Sequence, residues 1–158
     1  MKKMEKTNVM RVLDQMNITD REHTYDSTEA ISGTEVASIL GEDPDQVFKT
    51  LVTVGASRQN YVFVIPVTRE LNLKKAARAA GEKIIQMIKS KELLPLTGYV
   101  HGGRSPIGMK KFFGTFLDET AMLFDTILFS GGKIGFQVEM NPEDLKAVIP
   151  FEYADLCD

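Results

Sequence analysis

The chain has 158 residues, 43% hydrophobic and 26% charged, a length and composition that predict one soluble globular domain spanning 1–158. A domain of this size buries about 68–70% of its unfolded surface, so it needs neither disulfides nor metal to hold a core. A single cysteine, Cys157, excludes a disulfide framework and a cysteine-based zinc site within one chain, no apolar run reaches the roughly 18 residues of a membrane span, and the basic start Met1–Lys6 lacks the apolar stretch of a secretory signal. The cytoplasm is the default compartment.

In chain order, Thr7 to Met16 reads as an amphipathic helix with Val9, Val12, Leu13 and Met16 on one stripe and Thr7 or Asn8 as cap. Residues 22–26 lean towards β. Thr34 to Leu40 reads as a second helix, capped by Ser32 or Thr34 and stopped at Gly41. The runs Val47–Val54 and Tyr61–Val67 are β-branched and aromatic, and the loop between them suggests an antiparallel hairpin. Asn72 caps a helix reaching Ala80, and Lys83–Ile88 is a strand candidate. Ser90–Leu96 reads as a short helix with a serine cap despite Pro95. Phe112–Leu117, Asp125–Phe129 and Lys133–Met140 are further strands, and Asn141–Val148 is a helix with Pro142 at its first position. With about six to eight strands that adjoin one another more than they alternate with four or five short helices, the pattern predicts an α+β fold. Its sheet is expected to be mixed, mostly antiparallel and barrel-like, with the short helices around it.

The net charge of −3 conceals an asymmetry: residues 69–111 carry ten basic against three acidic side chains, a balance of +7, while residues 112–158 carry two against nine, −7. The basic middle can attract a polyanion such as a nucleic acid, or it can be an ordinary solvated helix face.

Three segments can carry chemistry. In the strand Val47–Val54, alternation puts Lys49 on a face with Val47 and Leu51, and Thr50 on the other with Phe48 and Val52. A lysine in that apolar setting can line a cavity, where desolvation lowers its pKa or its charge stabilises an oxyanion; equally it can block sheet-to-sheet association at an edge. The segment Thr97–Gly108 holds four glycines and Pro106 among apolar residues. Its glycine amides can cradle an anion, or the segment can be a structural crossover; it is not a Walker-type phosphate loop. Ser130-Gly131-Gly132-Lys133 reads first as a hairpin turn, with a pocket-facing Ser130 or glycine amide as the second reading. His23 and His101 lack metal-ligand spacing and read as surface or hydrogen-bonding residues; Cys157 sits on a tail expected to fray, far from any histidine in sequence; and no G-x-S-x-G motif occurs.

Taken in order, His23-Thr24-Tyr25, Phe48-Lys49-Thr50-Leu51, Leu71-Asn72-Leu73-Lys74-Lys75-Ala76-Ala77, Thr97-Gly98-Tyr99, Gly102-Gly103-Arg104-Ser105-Pro106-Ile107-Gly108 and Ser130-Gly131-Gly132-Lys133 resemble the YbaK family of aminoacyl-tRNA editing domains. The resemblance is closest to the branch that deacylates Cys-tRNA(Pro), and it implies a mixed α+β barrel-like fold of the prolyl-tRNA synthetase editing-domain type. It further implies an aminoacyl ester at the tRNA 3′ acceptor end as substrate, prolyl-tRNA synthetase as a working partner, and no metal, cofactor or membrane. By the same resemblance Lys49 is the catalytic residue, Gly102 and Gly103 shape the pocket and present amides, and Tyr25, Thr50, Ser105, Pro106 and Ser130 contact substrate; Arg104 receives no role. The substrate cysteine's own thiol would attack its ester. A related Ala- or Ser-tRNA deacylase and a non-catalytic module that docks on tRNA or a synthetase remain as alternatives.

Overall fold

The computed structural model describes residues 6–26 and 31–158, so the start at 1–5 lies outside the described residues. Among them are five α-helices and eight strands. The helices are α1 (Asn8–Gln15), α2 (Gly33–Leu40), α3 (Leu73–Ala80), α4 (Ser90–Thr97) and α5 (Pro142–Val148). The strands are β1 (Asp20–Thr24), β2 (Phe48–Gly55), β3 (Asn60–Pro66), β4 (Ile85–Met87), β5 (Gly114–Asp118), β6 (Ile127–Ser130), β7 (Phe136–Met140) and β8 (Glu152–Ala154).

The helices start where short polar side chains can satisfy free backbone donors. Thr7 Oγ1 accepts from the Met10 N–H at 3.2 Å, Asn72 Oδ1 accepts from the Lys74 and Lys75 N–H groups at 3.0 Å each, and Asn141 Oδ1 accepts from Glu143 at 2.7 Å. Helix α4 differs from expectation: Lys89 occupies its cap position without a side-chain bond, and Ser90 lies inside the first turn. Helix α1 buries Val9, Met10 and Leu13, while Met16 stays 43% exposed; Met10 takes the place that the stripe gave to Met16.

Two sheets carry the fold, in the orders β1-β7-β6 and β4-β2-β3-β5-β8. Four pairings are antiparallel (β1/β7, β6/β7, β2/β3, β2/β4), and two, β3/β5 and β5/β8, are parallel. An isolated parallel bridge between Val47 and Leu128 joins the sheets where β2 begins, giving the mixed, barrel-like arrangement. Alternation along β2 and β3 sends side chains to two apolar layers. Phe48, Val62 and Val64 pack with α1, β6 and β7, whereas Phe63, Ile65 and Ile85 pack with Ala76 and Ala77 of α3. Phe63 stacks on Phe116 with centroids 5.4 Å apart, closing the α3 side.

The C-terminal segment is held, not frayed. Leu71 and Cys157 form an antiparallel bridge, the Asn72 N–H donates to the Leu156 carbonyl at 2.8 Å, and Lys75 Nζ donates to the Cys157 carbonyl at 2.7 Å. Below them the buried carboxylate of Asp118 accepts from the Leu156 N–H at 3.0 Å. Among the described residues no helix is long and apolar enough to cross a membrane.

Candidate active site

Where β2 begins beside the Val47–Leu128 bridge, a cavity of about 380 Å³ opens between β2, the ends of β6 and β7, the entry to α2 and the loop after α4. That volume lies within the ordinary range of small-molecule sites. Lys49, Thr50, Tyr25, Gly102 and Ser130 all line it. Lys49 and Thr50 point to opposite faces of β2, with Ile65 and Val64 as their cross-strand partners, and both reach the cavity because it lies at the strand's very start.

Register explains the far wall. Ser130 of β6 pairs directly with Gln137 of β7, so the two side chains stand side by side on one face, and both are buried and line the cavity. The Tyr25 N–H donates to the Gly135 carbonyl at 2.9 Å, extending the β1/β7 pairing by one step and bringing Tyr25 to the rim. Ser130 Oγ accepts from the Gly132 N–H at 3.1 Å, an arrangement that closes the turn and leaves the hydroxyl hydrogen available to a ligand.

The loop after α4 contributes less than its glycine content suggested. Gly102, with φ at +87°, adopts a backbone conformation that L side chains rarely reach, and its N–H donates to no described residue. The Gly103 N–H is already spent on the Val100 carbonyl at 3.0 Å. A Cβ at Gly103 would stand 3.3 Å from Lys133 Cα and Ile134 N, so its smallness serves the packing of this loop against the β6–β7 turn. Gly103, Ser105 and Pro106 are not among the lining residues: Ser105 is fully buried, accepting from the Ile107 N–H at 3.4 Å, and Pro106 borders a separate surface hollow with Phe112 and Ile149. Behind the loop, the Tyr99 hydroxyl donates to the Ile107 carbonyl, and burial pushes this phenol up to about 12, so it remains a donor at neutral pH.

Several lining residues were not anticipated from the sequence, among them His101, which read as a surface or hydrogen-bonding residue. Arg104 lines the cavity, and burial holds its guanidinium below the ordinary arginine value. Gln137 and Glu70 line it as well. Glu70 Oε1 lies 4.0 Å from Lys49 Nζ, but its side chain is 88% exposed, so the pair is weakly coupled through solvent. Thr50 Oγ1 and Gln137 Oε1 are buried without any hydrogen-bond partner, although buried polar atoms are nearly always paired. Gln137 is detectable in principle as a polar residue between apolar neighbours in a strand; the partial burial of Arg104 depends on how its loop folds.

Neither Cys157 nor His23 lines the cavity. Burial first, then the nearby Asp118 carboxylate, pushes the Cys157 thiol up to about 12, which makes it a poor nucleophile. His23 Nε2 is hydrogen-bonded to Glu139 Oε1 at 2.9 Å, and ligand atoms of His23, Glu42 and Glu139 lie within 4.8 Å of one another, away from the cavity lining.

Residues 28–148 match the family model described as the aminoacyl-tRNA editing domain. The chain is 42% identical over 156 residues to EbsC of Enterococcus faecalis, a protein named as a candidate Cys-tRNA(Pro)/Cys-tRNA(Cys) deacylase; the match covers 98% of this chain and 95% of that one. It is also 34% identical over 82 residues to a proline–tRNA ligase of Shouchella clausii, covering 52% of this chain and only 14% of the ligase. Among solved structures, a candidate trans-editing enzyme for prolyl-tRNA synthetase superposes with a TM-score of 0.81 at 24% identity, over 98% of this chain and 99% of that one, a likeness of fold. With its fold, its lysine-lined cavity and a family match over most of its length, the chain belongs to the aminoacyl-tRNA editing domain family.

Proposed function

We propose that the protein is a trans-editing deacylase that removes cysteine from mischarged Cys-tRNA(Pro), acting in the cytoplasm beside prolyl-tRNA synthetase. One observation carries the reading: Lys49, the uncommitted Gly102 N–H and the Ser130 hydroxyl meet on one cavity, while the chain's own cysteine is buried elsewhere. The 42% identity to a protein named for Cys-tRNA deacylation supports the substrate, and the similarity to part of a proline–tRNA ligase supports the partner.

In the reaction, the sulfur of the bound cysteine attacks its own ester carbonyl. A C–S bond forms, the C–O bond to the terminal ribose breaks, the thiol proton ends on the ribose oxygen, and the products are a cyclic thiolactone and free tRNA. With a thiol pKa near 8.5, a few per cent is thiolate at neutral pH, enough for an intrinsically strong nucleophile. Lys49 supplies positive charge to the oxygen that becomes anionic, and Gly102 and Ser130 supply hydrogen-bond donors. Selectivity then follows from chemistry: a pocket separating cysteine from alanine or serine by contacts alone gains about 1–3 kcal/mol.

The test is a panel of Cys-, Ala-, Ser- and Pro-tRNA incubated with purified protein. Ester loss is expected from Cys-tRNA alone, about a thousandfold or more above the others, beyond the roughly 10–200-fold that contact discrimination of about 1–3 kcal/mol supplies. Equal cleavage of Ala-tRNA would replace this reading with the Ala/Ser deacylase, and salt-sensitive tRNA binding without cleavage of any ester would replace it with a binding module.

A further inference from the structure

Arg104 stands half-buried in the glycine loop, against the same cavity as Lys49, and burial holds its guanidinium below the ordinary arginine value. A guanidinium has five N–H donors and no acceptor. No described residue accepts a hydrogen bond from it or pairs with it. Partly burying a permanent positive charge without a counter-charge is unfavourable, and an anionic ligand in the cavity would offset that cost. The cavity contains two further unmet polar groups, Thr50 Oγ1 and Gln137 Oε1, on side chains only 3% and 6% exposed. Among the described residues, its charged lining is Lys49 and Arg104 against one carboxylate, Glu70, which faces solvent at 88% exposure. The cavity therefore favours an anion.

An aminoacyl ester at the end of a tRNA offers three kinds of group. The α-ammonium is cationic and would be repelled by Arg104. The ester is neutral until the transition state, so its oxyanion is absent from the bound ground state and cannot offset the half-buried charge there. The phosphodiester of the terminal nucleotide is permanently anionic, and its two non-bridging oxygens match the guanidinium fork. We propose that Arg104 is the phosphate anchor of the cavity, gripping the terminal phosphodiester so that the ester carbonyl is delivered to Lys49. The assignment rests on the aminoacyl-ester reading of the site, and it adds a binding residue that a lysine-centred account lacks.

The experiment has two arms. In the first, adenosine 5′-monophosphate and adenosine are titrated into the full chain and into Arg104→Gln, following binding by calorimetry. The wild-type protein is expected to bind the nucleotide about tenfold or more tighter than the nucleoside, as one charge-assisted contact provides, and Arg104→Gln to bind the two within about twofold. In the second, 3′-O-cysteinyl esters of the same two compounds serve as substrates. Arg104→Gln is expected to lose about tenfold in kcat/KM on the nucleotide ester, mostly through KM, and to match the wild type on the nucleoside ester; Arg104→Lys should recover part of the loss. Equal wild-type affinity for nucleotide and nucleoside would overturn the anchor, as would equal losses on both esters, which would place Arg104 on the ester itself or in the framework. Should the wild type prefer the nucleotide through Arg104 yet cleave neither ester, the phosphate subsite stands and the deacylase reading fails.

Discussion

Lys49→Ala is expected to lower the rate of Cys-tRNA deacylation by about 10²–10³-fold, the usual effect of removing a group that stabilises developing oxyanion charge. The protein should stay folded. The side chain is 31% exposed and its described charge partner is the solvent-facing Glu70 at 4.0 Å, so truncation leaves no buried group unpaired. Surface changes of this kind shift stability by about 0.5 kcal/mol or less. Single-turnover deacylation beside a thermal unfolding curve separates the two effects. Lys49→Arg, which keeps the charge and alters its placement, should fall between alanine and wild type. Turnover near wild type in Lys49→Ala would remove this side chain from the chemistry and leave the cavity as a binding site only.

The largest expected loss of stability comes from a residue with no part in the reaction. Asp118 is 2% exposed, and its carboxylate accepts from the Leu156 N–H at 3.0 Å, the Thr120 N–H at 3.2 Å and the Thr120 hydroxyl at 2.6 Å. Alanine would leave the N–H of Leu156, itself fully buried, without a partner where water cannot reach it. Losing charge-assisted bonds and stranding a buried donor costs about 3 kcal/mol, or about 6–12 °C in the unfolding midpoint of a chain this long. Cys157 gives a local readout: it is 4% exposed, with its thiol pushed up by burial and then by Asp118 itself. Releasing the C-terminal segment should therefore speed its alkylation in the native protein. A midpoint within about 2 °C of wild type with unchanged alkylation would show that the segment is held by its other bonds alone.

What the sequence made legible was what neighbouring residues decide. Thr7, Asn72 and Asn141 cap the helices that they precede, and the β2–β3 hairpin follows from two β-branched runs with a polar loop between them. The parallel pairings of β5 with β3 and β8 depend on residues far apart in the chain, and the three-residue strand β8 has no pattern of its own without β5 beside it. The tail around Cys157 looked loose because its restraints, from Leu71, Asn72, Lys75 and Asp118, come from distant segments.

The site divides along the same line. Lys49 stood out as a charge in an apolar strand, and Tyr25, Thr50, Gly102 and Ser130 gather with it on the cavity. Gly103 could not be separated from Gly102 by sequence, because only the fold reveals that the Gly103 N–H is bonded to Val100 while that of Gly102 is uncommitted. Gln137 becomes part of the wall through its register opposite Ser130, and Arg104 through the folding of the loop that carries it. Neither relation exists in the linear chain.

The central claim is that the substrate's own sulfur performs the cleavage inside this cavity. Cysteinyl-tRNA(Pro) and its S-methylcysteinyl counterpart, differing by one methyl on sulfur, test it directly when ester loss is followed for both and the sulfur-containing product is identified from the first. Release from the free thiol with a cyclic thioester as product is expected, and release at the uncatalysed rate from the S-methyl substrate. Comparable enzymatic release from both, with free amino acids as products, would contradict it and assign the attack to water.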